Sequence, residues 1–107
     1  MIEVCYHRQF NRVSISGHAG SGPEGHDLVC AGVSTLALTL AGNVAHMEDQ
    51  GAVVGAIIDL SEGKAEICCM PMPKYRDSVD QIYQAICAGF ELLAAKYPEY
   101  IYYSVRG

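Results

Sequence analysis

The sequence predicts an α+β fold: one domain over residues 1–107, with two helices packed on an antiparallel or mixed sheet in the order ββαββαβ. Three observations carry this. Apolar residues alternate with polar or small ones in two pairs of short segments. Two longer segments either repeat apolar residues at helical spacing or run uncharged for several turns. Glycine, proline and asparagine punctuate the joins. A chain of 107 residues has the length of one domain, and its 50% hydrophobic content supplies a core.

The elements follow in order. Ile2, Val4 and Tyr6 alternate with polar neighbours, "QFN" turns the chain, and Val13 and Ile15 alternate again, giving a hairpin that ends near Gly17 and His18. A glycine-rich loop runs to residue 26. Asp27, a short acidic side chain before a long helix-compatible run, reads as an N-cap. That helix extends to about Asp49, with Gly51 as its stop signal. "AVVGAIID" and "KAEICCM" form a second pair of strands joined by "LSEG". After the rigid "PMPKY" connector, Val79, Ile82, Tyr83, Ile86, Phe90, Leu93 and Tyr97 recur at steps of a second, amphipathic helix. Ser78 and Gln81 have capping-box spacing at its start, Pro98 ends it, and "YIYYSV" is a last strand of aromatic and β-branched residues. Sheet order is not legible from these patterns.

Composition removes several classes of function. The net charge is −5 and the few Lys and Arg residues are scattered, so the basic stripe of a nucleic-acid binder is missing. Five cysteines, an odd number, with no leader-like start in "MIEVCYHRQF", fit free thiols in a reducing cytoplasm rather than a disulfide framework. Cys5, Cys68, Cys69 and Cys87 read as packing residues in strands or a helix. Residues 28–45 carry no charge and approach the length of a membrane span, yet Ser34, Thr35, Thr39 and Asn43 fit a central helix wrapped on several sides.

The stretch "GHAGSGPEGHDLVCAGVS", residues 17–34, concentrates the chemistry. Cys30 falls near a helix start, where unpaired backbone N–H groups and the macrodipole favour negative charge. A nucleophilic thiol needs a base within reach, and His18, across a glycine-rich loop, is the best placed. Ser34 lies one turn beyond Cys30 on the same helical face, positioned to contact substrate or orient His18. Asp27 reads as cap first and as a group orienting His18 second. Each residue also has an ordinary reading: packing for the cysteine, a surface position for the histidine, a helix cap and a helix polar residue for the others. Zinc is the rival chemistry, with His18, His26 and Cys30 as three ligands and Asp27 a poor fourth, but no paired C-x-x-C accompanies them. His7 and His46 lie outside the cluster, and His26 reads as a loop contact with no necessary role.

These residues resemble the signature of the bacterial ribosomal-processing cysteine proteases, the Prp family. Gly17-His18-Ala19-Gly20, Gly25, Asp27-Leu28-Val29-Cys30-Ala31 and Val33-Ser34 fall in register with that family's pattern, and a closing "YP…YI" follows before the last strand. The resemblance implies a dyad with Cys30 as nucleophile and His18 as base, supported by Asp27 and Ser34. It also implies a homodimeric α+β fold and a mobile loop between the dyad residues; hydrolysis by such a dyad requires no cofactor, and the ligand count argues against a metal. The implied substrate is large-subunit ribosomal protein number twenty-seven made with an N-terminal extension, which is removed after a pair of aromatic residues. A non-catalytic ribosome-assembly or peptide-binding module is the alternative of another class. The sequence departs from the family pattern at Gly32, usually alanine, which is expected to loosen the helix by up to about 1 kcal/mol. It departs again at Pro23 and at His26, where a lysine or other polar residue is common.

Overall fold

The computed structural model describes residues 1–18 and 26–107. Strands β1 (Ile2–His7) and β2 (Arg12–Gly17) precede helix α1 (His26–Asp49). Strands β3 (Val53–Ser61) and β4 (Lys64–Pro71), helix α2 (Arg76–Lys96) and strand β5 (Ile101–Arg106) complete the order ββαββαβ expected from sequence. The expected loop with Gly20, Gly22, Pro23 and Gly25 lies outside the described residues.

The five strands form one mixed sheet, ordered β3-β4-β2-β1-β5. Three junctions are antiparallel, and β5 joins β1 in parallel. Alternation sends Ile2, Val4, Tyr6, Val13, Ile15, Ala65, Ile67 and Cys69 to one face, where the helices cover them. The other face carries Arg12, Ser14 and Glu66. Arg12 Nε donates to Glu66 Oε2 at 2.8 Å and Ser14 Oγ donates to the same oxygen at 3.0 Å, tying β2 to β4. Cys68 and Cys69 face opposite sides, as strand periodicity requires, and only Cys69 is buried.

The "QFN" turn closes on Asn11, which adopts a left-handed φ of +45° and is 1% exposed. Its side-chain amide donates to Asp80 Oδ1 at 2.8 Å, so this buried polar group is satisfied by α2. Tyr83 of α2 stacks on Tyr6 of β1, ring centroids 6.0 Å apart, and its hydroxyl lies 3.6 Å from the Cys69 thiol.

Helix α1 buries Val29, Val33, Ala37, Leu40, Ala41, Val44 and Met47 in a stripe with three- and four-residue steps. It is long and apolar enough to cross a membrane by length and composition; in the fold that apolar character serves the sheet on one side and α2 on another. The helices approach closely at two glycines. A Cβ at Gly32 would stand 3.0 Å from a Leu93 methyl, and one at Gly89 would stand 2.7 Å from a Leu36 methyl. Gly32, expected to loosen α1, is thus a seat for Leu93 in the helix crossing.

Two caps differ from expectation. Helix α1 begins at His26, which puts Asp27 inside the first turn rather than at the cap. There its charge still faces the positive end of the helix dipole. Helix α2 begins at Arg76 after the 3₁₀ turn Pro73–Tyr75, so Ser78 and Gln81 lie within the helix and form no capping box. Proline at the head of that turn sets the entry instead.

The helix crossing separates two kinds of glycine. Gly42 sits on α1 with nothing near its missing Cβ, so Gly42→Ala is expected to raise stability by about 0.5–1 kcal/mol. Gly89→Val is expected to lower it by about 1–3 kcal/mol, because Leu36 must leave its seat. Urea denaturation of the two variants measures both.

Candidate functional site

His18 follows directly on β2, and local backbone bonds hold it there. The Met1 amine donates to the His18 carbonyl at 2.6 Å. The Gly17 N–H donates to the Gly63 carbonyl at 2.9 Å, extending the β2–β4 ladder past its last strand pair, Ser16–Lys64. Gly63 forms the tight β3–β4 turn with φ +75°, and its missing side chain leaves room for the His18 imidazole. A Cβ there would lie 2.7 Å from His18 Nε2. Glycine is therefore required twice, for its φ and for the ring beside it.

Cys30 comes from α1. Because successive helical residues rotate by about 100°, the positions that follow the buried Val29, Val33 and Ala37 lie along the edge of the stripe. Cys30, Ser34 and Leu38 occupy that edge, and all three line a cleft of about 480 Å³. His18 and Gly17 line it from β2, and Leu60 to Ala65 close it from the β3–β4 hairpin. Its walls are largely apolar, with Glu62 and Lys64 at the hairpin tip.

The structure thus brings His18, Cys30 and Ser34 to one cleft. Asp27 is not part of its lining: its side chain is fully exposed, and Oδ1 lies 3.0 Å from His26 Nδ1. The side chain that Asp27 contacts is that of His26, not His18, which the sequence had it orient. His26 is also no loop residue. It opens α1 one turn before Cys30, with Nε2 3.9 Å from the Cys30 sulfur and its ring edge-on to Tyr100.

Cys30 sits two residues deeper in the helix than the sequence suggested, as the fifth residue of α1. Its own N–H falls within the reach of the His26 carbonyl in the helical ladder, so the N–H groups of this helix start without a partner inside the helix are those of His26, Asp27 and Leu28. Among the described residues, no group of three His, Cys, Asp or Glu side chains is arranged to hold a metal ion. The hairpin tip was absent from the sequence-based site. "EG" marks a turn, but its landing place beside His18 depends on the β2–β4 pairing, which no local pattern encodes.

The remaining thiols have a different setting. Burial pushes the Cys87 thiol up to about 12 and raises that of Cys69 as well. Both are inert packing residues in the native state.

A thiol, an imidazole and a hydroxyl thus meet in one cleft of a two-layer α+β domain. Residues 1–102 match the family model of the cysteine protease Prp, and the chain belongs to that family. The similar solved structures include SMU.848 from Streptococcus mutans, 26% identical over 98% of this chain and 91% of that one, with a TM-score of 0.67. They also include an essential ribosomal processing protease Prp from S. aureus in complex with a covalently linked product peptide, 22% identical over 99% and 100% of the two chains, with a TM-score of 0.74. The same S. aureus protease in complex with a substrate peptide is 19% identical over 98% and 97%, with a TM-score of 0.70. No curated protein matches the chain in sequence.

Gly63→Ala is expected to displace the His18 ring and lower peptidase kcat/KM by roughly tenfold or more, the penalty of a small misplacement in a site built by orientation. Imidazole NMR shifts of His18 report the displacement directly. Alkylation with mass-spectrometric mapping should leave Cys69 and Cys87 unlabelled until denaturant is added.

Proposed function

We propose that this protein is a cysteine endopeptidase in which Cys30 is the nucleophile and His18 the acid and base, acting in the cytoplasm on a ribosomal protein with an N-terminal extension. The observation that carries the reading is that His18 and Cys30, from different elements, line one open cleft in a chain of the Prp family. The resemblance of residues 17–34 to the family signature supports large-subunit ribosomal protein number twenty-seven as the substrate. The complexes of the S. aureus protease with a substrate peptide and with a covalently linked product peptide support a peptide as the ligand of this cleft. All five cysteines are free, which suits a reducing compartment.

The reaction is acyl transfer to the thiol followed by hydrolysis. The Cys30 thiolate attacks the scissile carbonyl, and the oxyanion is stabilised by backbone N–H groups near the helix start. Protonated His18 gives its proton to the leaving amine. His18, now neutral, takes a proton from water, the hydroxide opens the thioester, and the thiolate is restored. Ser34, one turn from Cys30 on the cleft, is placed to contact the bound peptide. No step uses a cofactor or metal. A homodimer completes the proposed assembly, without direct contact to nucleic acid or membrane.

The deciding experiment incubates the protein with ribosomal protein number twenty-seven carrying its N-terminal extension and follows the mass of the substrate. Wild type is expected to release the extension. Cys30→Ala and His18→Ala are each expected to lose at least roughly a thousandfold in rate. Cleavage by Cys30→Ala at the wild-type rate overturns the mechanism. Binding of the extended protein without cleavage by wild type turns the reading into that of a peptide-binding module.

A further inference from the structure

His26, Cys30, Ser34 and Leu38 form one i+4 row along α1, and the last three line the cleft. His26 stands at the N-terminal head of that row. Side chains on a helix lean toward its N-terminus, which turns the Cys30 sulfur toward the preceding turn. Sγ lies 3.9 Å from His26 Nε2. On the far side of the same ring, Nδ1 lies 3.0 Å from Asp27 Oδ1. The ring is three-quarters buried, and its edge-on contact with Tyr100, at the start of β5, limits its rotation. Tyr100 is itself buried.

This geometry fixes what each ring nitrogen can do. Asp27 offers only acceptors when ionised, so Nδ1 carries the proton and donates it to Oδ1. Nε2 is then the lone-pair nitrogen, and it faces the thiol. Carboxylate, imidazole and sulfur stand in the order that stabilises an imidazolium beside a thiolate. Among the described residues, the groups shown against His26 are Asp27 and Cys30 on its own helix and the Tyr100 ring from the approach to β5.

We propose that the site contains two functional histidines: His26, held by Asp27, keeps the proton of the Cys30 thiol, and His18 handles the protons of peptide hydrolysis. This rests on the reading of Cys30 as the nucleophile. In the resting protein the S–H bond breaks and its proton binds Nε2, leaving Cys30 as thiolate and His26 as imidazolium. That pair is formed once and is regenerated when the thioester opens. The proton given to the amine leaves His18, and the proton taken from water returns to His18, so the cycle balances without His26 releasing its own. His26 is a positioning residue for charge on the sulfur, and His18 turns over.

The test separates the pair from the overall activity. Iodoacetamide labelling of Cys30 in the substrate-free protein is followed against pH, with mass-spectrometric mapping to distinguish the five thiols. His26→Gln is expected to slow Cys30 labelling roughly tenfold near pH 6 and to move the pH midpoint upward, as loss of an imidazolium partner does. Asp27→Asn, at an exposed position that spares the fold, is expected to move the midpoint in the same direction by less. His18→Ala is expected to keep the wild-type labelling profile while losing peptide cleavage. The proposal is overturned if His26→Gln and Asp27→Asn both retain the wild-type profile, or if His18→Ala alone abolishes the low-pH labelling. Circular dichroism of His26→Gln shows whether the fold is kept, and Asp27→Asn decides the question if it is not. Cleavage by Cys30→Ala would remove Cys30 as nucleophile, yet the labelling profile would still show whether His26 is its partner.

Discussion

The burial of one stripe of α1 against the sheet is the constraint on which the rest of the structure depends. Each Val or Leu in that stripe contributes about 1.5–3 kcal/mol when fully buried. The rotation of α1 about its own axis is therefore strongly held. Once that rotation is set, the row beginning at His26 and passing through Cys30, Ser34 and Leu38 has one available direction. It looks past the edge of the stripe into the space between β2 and the β3–β4 hairpin. The thiol is thus positioned by apolar residues beside it, none of which takes part in its chemistry. The close glycine-mediated approach of α2 supports the same helix from a second side, with Leu93 seated at Gly32 and Leu36 at Gly89.

The histidine side of the cleft is built on another principle. His18 has no apolar stripe to anchor it, and its ring is exposed. Hydrogen bonds hold the backbone on either side of it: the last rung of the β2–β4 ladder, and the contact of its carbonyl with the Met1 amine. The β3–β4 turn then stands against the ring at the one residue type that leaves space for it. A thiol fixed by helix packing therefore shares its cleft with an imidazole open to solvent, an arrangement that fits the proton exchange proposed for His18.

Much of this was legible in the sequence because periodicity and turn chemistry are local. The alternation of Ile2, Val4 and Tyr6, the helical recurrence from Val79 to Leu93 and the role of Pro98 all follow from neighbours a few residues apart. That His18 and Cys30 would line one cleft was foreseeable for a different reason: few other residue types in residues 17–34 can do covalent chemistry. Helix starts were less well read. Asp27 and Ser78 both have the side chains of caps, but the observed starts lie one and two residues earlier. Capping preference is worth only about 1 kcal/mol and yields to packing. Sheet order, the hairpin tip beside His18 and the role of Gly32 depend on contacts between distant segments. His26 was placed in the loop because the sequence did not show where α1 begins.

The parallel seam between β1 and β5 joins opposite ends of the chain: Ile2 pairs with Ile101, and the Ile2 N–H donates to the Tyr100 carbonyl. Pairing across such a sequence separation is intrinsically slow, because a very long loop must close before the contact forms. During synthesis, β1 and β2 emerge well before β5, which follows every other element of the sheet. Tyr100, the wall behind His26, arrives with that last strand. The thiol's surroundings are consequently completed only once β5 is in place, so a nascent chain that has not yet delivered β5 carries its cysteine without the ring that walls in its neighbouring histidine.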